Sequence, residues 1–535
     1  MKRTQFLANP DGVFLHNAVL SACERYAAKT AIVDTSTPEA PLRITYSQYG
    51  ELIHRLARRF IACGIRPGDL IAIFLPNSWE FAAVYHAATL AGAAPTMLNP
   101  SYREREVRYQ LENSGAKMLI TDAALIAGMD LSGLSDLKAV YSTRTPATGG
   151  ALGFDELLRP ASAGLPHSDQ NPKVTIAALP YSSGTTGLPK GVMLSHHNLV
   201  SNVYQAYGPE ALPSHDDQRL LCYLPLYHIY GLNVLLNPSL MLGMTLVLMP
   251  RFNLENALRL LVQERITTAP SVPPVINAYC QAAEKGLFPK DHCLEWIKSG
   301  AAPLSGELGH RLTQLTGVLV SQGYGMTEAS PVTHIGSVTP TDHCPPESIG
   351  WPVYGTDCRV IAFDGDRQRE AAEDEPGELV MRGPQFMMGY WKSPEATADV
   401  MRDGWFWSGD VATRDSENRY RIVDRRKEMI KYKGFPVAPA EVEAVLLEHP
   451  AIRDCGVVAM PDPEAGEIPC AFVVLRDEFA DQEKTRAAIS EFVSERLSHH
   501  KLPREIRMVT AIPRNPSGKI LRRELRKALD PTSAD

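Results

Sequence analysis

No run of this chain is apolar for long enough to cross a bilayer. The most hydrophobic segments, Leu70 to Leu75 and Met244 to Met249, are strand-sized. Cysteine is present but unorganised: nine residues lie scattered from Cys23 to Cys470 with no Cys-x-x-Cys pair. That excludes a disulfide framework and a zinc-type site, and reads as reduced thiols. There is no basic excess either. A net charge of −7 argues against nucleic-acid binding, which goes with a strongly basic face. The first ten residues, Met1 to Pro10, lack the apolar core of a signal peptide, so the expected location is the cytoplasm. No internal repeat is visible.

At 535 residues the chain is too long for one core, and three or more structural units are expected. The first half alternates strand and helix signals. Leu70 to Leu75 reads as a buried strand, then comes a helix from Ser78 to Ala88 capped by Asn77 or Ser78. A strand at Ala94 to Leu98, a helix over Arg103 to Glu112 and a strand at Lys117 to Thr121 continue the pattern. It resumes with Met244 to Met249, a helix from Leu254 to Gln263, and a strand at Thr267 to Ala269. Such alternation points to βαβ units and mostly parallel sheets. Residues 142–172, rich in Pro, Ala, Gly and Ser, read as a surface connection.

A boundary falls near residue 425, at the charge run Asp424-Arg425-Arg426-Lys427-Glu428. Beyond it Pro439 opens a helix with Val442, Val445 and Leu446 on one face. Strands near 455–460 and 470–475 and a helix bearing Ile489, Phe492, Val493 and Leu497 complete an α+β unit of about 110 residues, enough for its own core.

The chemistry starts from a loop. Tyr181-Ser182-Ser183-Gly184-Thr185-Thr186-Gly187-Leu188-Pro189-Lys190-Gly191 follows an apolar run and combines four hydroxyls and three glycines with a lysine. Glycines let backbone N–H groups converge on an anion, and hydroxyls and an ammonium add donors, so the loop suits a polyphosphate. It is not a P-loop, because Pro189 holds the second glycine position and Gly191 follows the lysine. Nor is there a dinucleotide fingerprint: after Gly323 and Gly325, Glu328 stands where a third glycine belongs.

Four other segments give the loop its meaning. Leu224-Pro225-Leu226-Tyr227-His228-Ile229-Tyr230-Gly231 sets a histidine among apolar and aromatic residues, and Ser299-Gly300-Ala301-Ala302-Pro303-Leu304 is a small-residue turn. Gln322-Gly323-Tyr324-Gly325-Met326-Thr327-Glu328 puts a hydroxyl beside a carboxylate, and Pro516-Ser517-Gly518-Lys519 puts a lysine on a turn. Alone, each is ordinary: Glu328 a solvated charge, His228 a core histidine, Asp410 a turn cap, Lys519 the start of an amphipathic helix running to Lys527.

Together, in this order and spacing over residues 10–528, they resemble the acyl-adenylate-forming superfamily: acyl- and aryl-CoA ligases, insect luciferases and peptide-synthetase adenylation domains. The segments around His228 and Lys298 look most like the 4-coumarate–CoA ligase and fatty-acyl–CoA ligase branch. The resemblance implies an α/β and α+β fold: a large domain, 1–424, of stacked mostly parallel sheets flanked by helices with a β-barrel-like subdomain, and a small mobile α+β domain, 425–535, hinged near Lys427. It implies ATP and Mg²⁺ as cofactors and coenzyme A as co-substrate, with a hydrophobic carboxylic acid joined to CoA through an acyl-adenylate.

It also implies roles. Ser182, Ser183, Gly184, Thr185, Thr186, Gly187 and Lys190 would hold the β- and γ-phosphates. Gly300, Ala301, Ala302, Gln322, Gly323, Tyr324, Gly325, Met326, Asp410, Ile422 and Arg425 would surround the nucleotide, with Asp410 on the ribose. Thr327 would meet the α-phosphate, and Glu328, with Thr186, the Mg²⁺. Lys519 would bridge the carboxylate and α-phosphate during adenylation. After rotation of the small domain, Lys431, Lys433 and Gly434 would replace it, and His228 would swing aside to admit the thiol. Tyr230, Asn233, Lys298, Pro331, Val332 and Thr333 would line the acyl pocket.

Gly231-Leu232-Asn233-Val234 lacks the aspartate with which amino-acid-activating relatives hold the substrate ammonium, which argues against amino-acid activation. Ser330, Thr333 and Pro436 depart from the plant coumarate ligases and many relatives, bearing on pocket polarity and on the thioester step. A loader that passes its acyl group to a carrier protein, a light-emitting monooxygenase and an inert ATP-binding module remain alternatives, as does a homodimer.

Overall fold

The computed structural model describes residues 11–143, 150–166, 170–182, 188–207, 217–336, 344–345, 347–364, 367–433, 435–476, 482–514 and 518–529. The alternation read from the sequence becomes two parallel sheets. One is all parallel, in the order Ala94–Met97, Leu70–Phe74, Met118–Thr121, Ala139–Ser142, Leu152–Gly153. Its interior strand Leu70–Phe74 is buried throughout, as a strand covered on both faces must be. The helix Trp79–Leu90 covers it, and Ser78 is the cap, its hydroxyl accepting from Phe81 N.

The other sheet runs Arg219–Cys222, Thr245–Leu248, Thr30–Asp34, Leu42–Thr45, with the last strand antiparallel. The strand expected at Thr267 to Ala269 is instead a single bridging residue. Thr268 pairs in parallel with Leu220 on one side and Trp296 on the other; Pro270, two residues on, has no N–H for the ladder, which resumes with Ser271 opposite Ser299. These bridges tie the sheet to Trp296–Ser299 and, through it, to Leu319–Gly325, the strands that carry the candidate site.

Residues 142–172 are more than a surface connection. They contain the edge strand Leu152–Gly153 and a 3₁₀ turn, Phe154–Glu156. Phe154 and Leu157 are buried, and the Phe154 ring packs edge-on against Trp79 with centroids 6.0 Å apart, so apolar burial fixes a stretch whose composition reads as loop.

A six-stranded antiparallel sheet, from Asp357–Asp364 to Tyr420–Arg425, curls into a half-barrel. After it comes a separate five-stranded sheet in which Ile452–Asp462 and Gly466–Leu475 form a long hairpin and Glu505–Met508 pairs in parallel. This last sheet has its own buried clusters, one on each face. Among the described residues no helix is long and apolar enough to cross a membrane.

Candidate active site

The site lies where strand ends from several sheets meet. Leu319–Gly325 delivers Gln322, Gly323, Tyr324 and Gly325, and runs into the 3₁₀ turn Thr327–Ala329 carrying Thr327 and Glu328. Gly325 is required by close approach: a Cβ there would stand 2.0 Å from Pro331 O. Gly231 is equally constrained, its Cβ falling 2.1 Å from Pro225 O. Ala301 adopts a φ of 67°, a left-handed conformation that bends the small-residue turn after Trp296–Ser299.

Asp410, 5% exposed, is the hub. One oxygen accepts from Tyr324 OH at 2.5 Å and the other faces Arg425 Nε at 3.1 Å. Burial raises the Tyr324 hydroxyl well above its ordinary value, and the Asp410 carboxylate adds to the effect. Burial works against the Arg425 charge, but Asp410 and Tyr324 more than offset it. Glu328 accepts from Tyr390 OH at 2.8 Å through one oxygen. The Tyr390 ring also carries Lys190 Nζ, 5.4 Å from its centroid. Nothing in the sequence flagged Tyr390; its only signal is an aromatic after Gly389 in a turn-rich segment.

The flanks of the Ser/Gly-rich loop are in place: Ser182 and Lys190 are paired across two antiparallel strands. Ser183, Gly184, Thr185, Thr186 and Gly187 lie outside the described residues, as do Gly434, Pro516 and Ser517.

Lys519 comes in from the terminal domain. Burial pushes its ammonium down to about 8; Arg425 and Arg522 push the same way, while Asp410 and Glu428 oppose them. It also acts on His228, whose ring is pushed down to about 4 by burial and by the Lys519 charge. His228 is therefore neutral near pH 7, with Nδ1 accepting from Tyr230 N at 3.2 Å. The structure thus gathers Lys519, His228, Asp410, Arg425 and Tyr324 from five segments. Lys431 and Lys433 are not gathered with them. Lys431 is exposed on Ile430–Tyr432, its N–H donating to Glu467, and Lys433 N donates to Ala465 O.

Beside His228 a mainly apolar cavity opens, lined by Tyr230, Lys298, Gly300, Gly323, Pro331 and Val332, and also by Ala206, Tyr207, Val234, Trp296 and Ile335. The sequence reading missed the last five: Ala206, Tyr207, Trp296 and Ile335 sit between motifs, and Val234 is weighed there only for the carboxylate its segment lacks. Two expected lining residues are spent elsewhere. Asn233 is fully buried and donates to Leu199 O and Ser330 O. Thr333 is fully buried, with its hydroxyl on Tyr324 O and His334 Nδ1. Tyr230 is oriented by its hydroxyl, which donates to Lys298 O at 2.9 Å. Gly300 makes room for that ring, since a Cβ would meet it at 2.9 Å. Among the described lining residues Lys298 is the one ionisable group besides His228 and the tyrosines, and burial pushes it down to about 7.

Residues 19–391 match the family model for AMP-binding enzymes, and residues 441–519 match that for the AMP-binding enzyme C-terminal domain. The chain belongs to the AMP-binding enzyme family. It is 36% identical to 4-coumarate–CoA ligase 1 of Arabidopsis thaliana, over 97% of this chain and 93% of that one. It is 37% identical to 4-coumarate–CoA ligase 5 of Oryza sativa subsp. japonica, over 98% and 96%. Among solved structures it is similar to the anthranilate CoA ligase AuaEII in complex with anthranoyl-AMP, with a TM-score of 0.86, 25% identity and both chains fully covered. ATP-bound MatB from Rhodopseudomonas palustris gives 0.85 at 27% identity, over 97% of this chain and 99% of that one. This member of the family is an AMP-forming acid–CoA ligase that works through an acyl-adenylate.

Proposed function

We propose that the ligase activates a hydrophobic aryl or fatty carboxylic acid, with Lys519 as the residue that makes adenylation possible. The observation that carries this reading is the position of Lys519, half-buried within electrostatic reach of Asp410, Arg425 and His228, the last of which lines an apolar cavity. A carboxylate and an α-phosphate repel each other, and an ammonium between them offsets that repulsion and stabilises the charge of the transition state. A carboxylate oxygen of the acid attacks the α-phosphorus, the bond to the bridging oxygen breaks, and pyrophosphate leaves. The CoA sulfur then attacks the acyl carbonyl, AMP departs with the electron pair, and the thiol proton passes to solvent.

Asp410 and Arg425 hold the ribose side, Thr327 the α-phosphate, and Ser182 to Lys190 the outer phosphates. Glu328 suits Mg²⁺: the oxygen not taken by Tyr390 is a hard donor, and the same Tyr390 ring carries Lys190. The small domain pivots near Lys427, and Lys431 with Lys433 then takes the place of Lys519 for the thioester step.

A panel of aryl and fatty acids tests this with ATP and Mg²⁺, scoring pyrophosphate release with and without CoA. The expected outcome is CoA-dependent thioester from a subset of apolar acids. Lys519→Ala should lower adenylate formation by about 10²–10³-fold. Pyrophosphate release that never leads to a CoA ester would overturn the reading in favour of a carrier-protein loader.

A further inference from the structure

Lys519 can act only if the backbone that carries it is held in register, and the structure pins that backbone on both sides. Before it, Arg514 forms an isolated antiparallel bridge with Ile520, and Leu521 N donates to Pro513 O at 2.8 Å, closing the segment on itself. The Arg514 guanidinium then ties it to the sheet. Its Nη2 donates to Asp454 Oδ1 at 2.7 Å and its Nε to Asp454 Oδ2 at 3.2 Å, a two-pronged grip on one carboxylate. The remaining nitrogen, Nη1, donates to Gly518 O at 2.7 Å. That carbonyl belongs to the peptide bond leading into Lys519.

After it, Arg522 holds Glu443 through a single nitrogen, Nη2, 2.8 Å from both oxygens, while its Nε donates to Val457 O at 3.1 Å. Asp454 and Val457 both lie on the strand Ile452–Asp462, so both guanidinium groups fasten to one rigid element. Gly518, at a φ of 85°, packs toward Pro274 of the large domain.

We propose that Arg514, oriented by Asp454, is a positioning residue for adenylation: it sets the Gly518 carbonyl and thereby aims Lys519 into the site. The inference rests on the reading of Lys519 given above. Only a planar guanidinium supplies the geometry, because two prongs meet the carboxylate while a third donor points the other way; an ammonium is a point charge and cannot do both. A misplacement of about 1 Å at such a group costs about 100-fold in rate.

The test separates the two half-reactions in Arg514→Lys, which keeps the charge, and Asp454→Asn, which keeps the shape of the partner. Adenylation is read as acid-dependent pyrophosphate release, and transfer as CoA ester formed from supplied acyl-adenylate. Arg514→Lys should lower adenylation kcat by about 100-fold with little change in KM for ATP, and leave transfer within about twofold of the parent. Asp454→Asn should show a smaller loss with the same selectivity. Intact transfer also reports that each variant is folded. Equal loss in both half-reactions would mean a merely structural role and would overturn the proposal, as would two variants with parental adenylation. Lys519→Ala run alongside keeps the two ideas apart: if it adenylates normally, the reading of Lys519 fails, whatever Arg514 does.

Discussion

Lys519 illustrates how little of a residue's chemistry belongs to its type. An ordinary lysine stays charged far above neutrality, whereas burial beside Arg425 and Arg522 brings this one down to about 8, with Asp410 and Glu428 holding it that high. His228, pushed down to about 4, is neutral over the working range and adds no charge to the site. The sign of the consequence follows. The folded value is below the ordinary one, so the proton is lost as pH rises through about 8, and the unfolded chain binds more protons from there up to the ordinary value of 10.5. This lysine's unfavourable contribution to folding therefore fades across that window. Its activity should fade too: kcat/KM for ATP in the pyrophosphate assay should fall above about pH 8, because that parameter reports the free enzyme. Lys519→Arg should flatten the descending limb, whatever it does to the absolute rate, because a guanidinium keeps its charge there. A limb that survives the substitution belongs to another group.

Among the elements, the helix Leu254–Gln263 was legible because its apolar spacing is helical, and in the structure Asn253 caps its start, its side chain accepting from Asn256 N. The neighbouring element was not. Gly231–Leu236 is a π-helix, every residue buried, running into Asn237–Met241. An almost uniformly apolar run carries no period to read. The physical cause lies in Pro238, which has no N–H for the carbonyl four residues back, so Val234 O accepts from Tyr207 OH instead. The same element explains the misplaced Asn233. Its side chain belongs to a buried polar chain, with Asn237 Nδ2 donating to Asn233 Oδ1 at 2.7 Å. His86 Nε2 lies 3.0 Å from Asn237 Oδ1, and Tyr49 OH lies 2.7 Å from His86 Nδ1. Asn233 closes the chain on Ser330 O, next to the cavity wall at Pro331. Asn237→Ala would strand a partner on each side, at about 1–3 kcal/mol per orphaned group. Asn253→Ala, which removes an exposed cap, should cost only about 1 kcal/mol. Urea midpoints of the two variants should separate in that order; equal midpoints would mean that the chain is not a structural unit.

At the scale of the whole molecule, the sequence exposed the alternating first half and the charge run near 425 because both are local patterns. The convergence of Asp410, Glu328, His228 and Lys519 was legible only through the order of the motifs, since nothing local sets contacts between residues so far apart in the chain. The buried clusters divide in the same region: the main one ends at Tyr420, and the terminal sheet's own begin at Ile430. Lys519 and Lys431 ride on that terminal unit, one half-buried within reach of the Asp410 charge and the other exposed on Ile430–Tyr432. If the two lysines serve successive poses of one site, their losses fall on different half-reactions and can be made good by another molecule. Lys431→Ala should still make acyl-adenylate but pass it poorly to CoA, so that the intermediate escapes into solution. Lys519→Ala should be unable to make the adenylate yet competent to use it. Each variant alone should form little CoA ester, whereas a mixture should form ester at a rate that rises with the concentration of the Lys519→Ala partner. Mass spectrometry of the Lys431→Ala reaction supplies the control by detecting released adenylate. A mixture that stays inert while adenylate accumulates would mean that both lysines serve the same step, and that the small domain does not exchange one for the other.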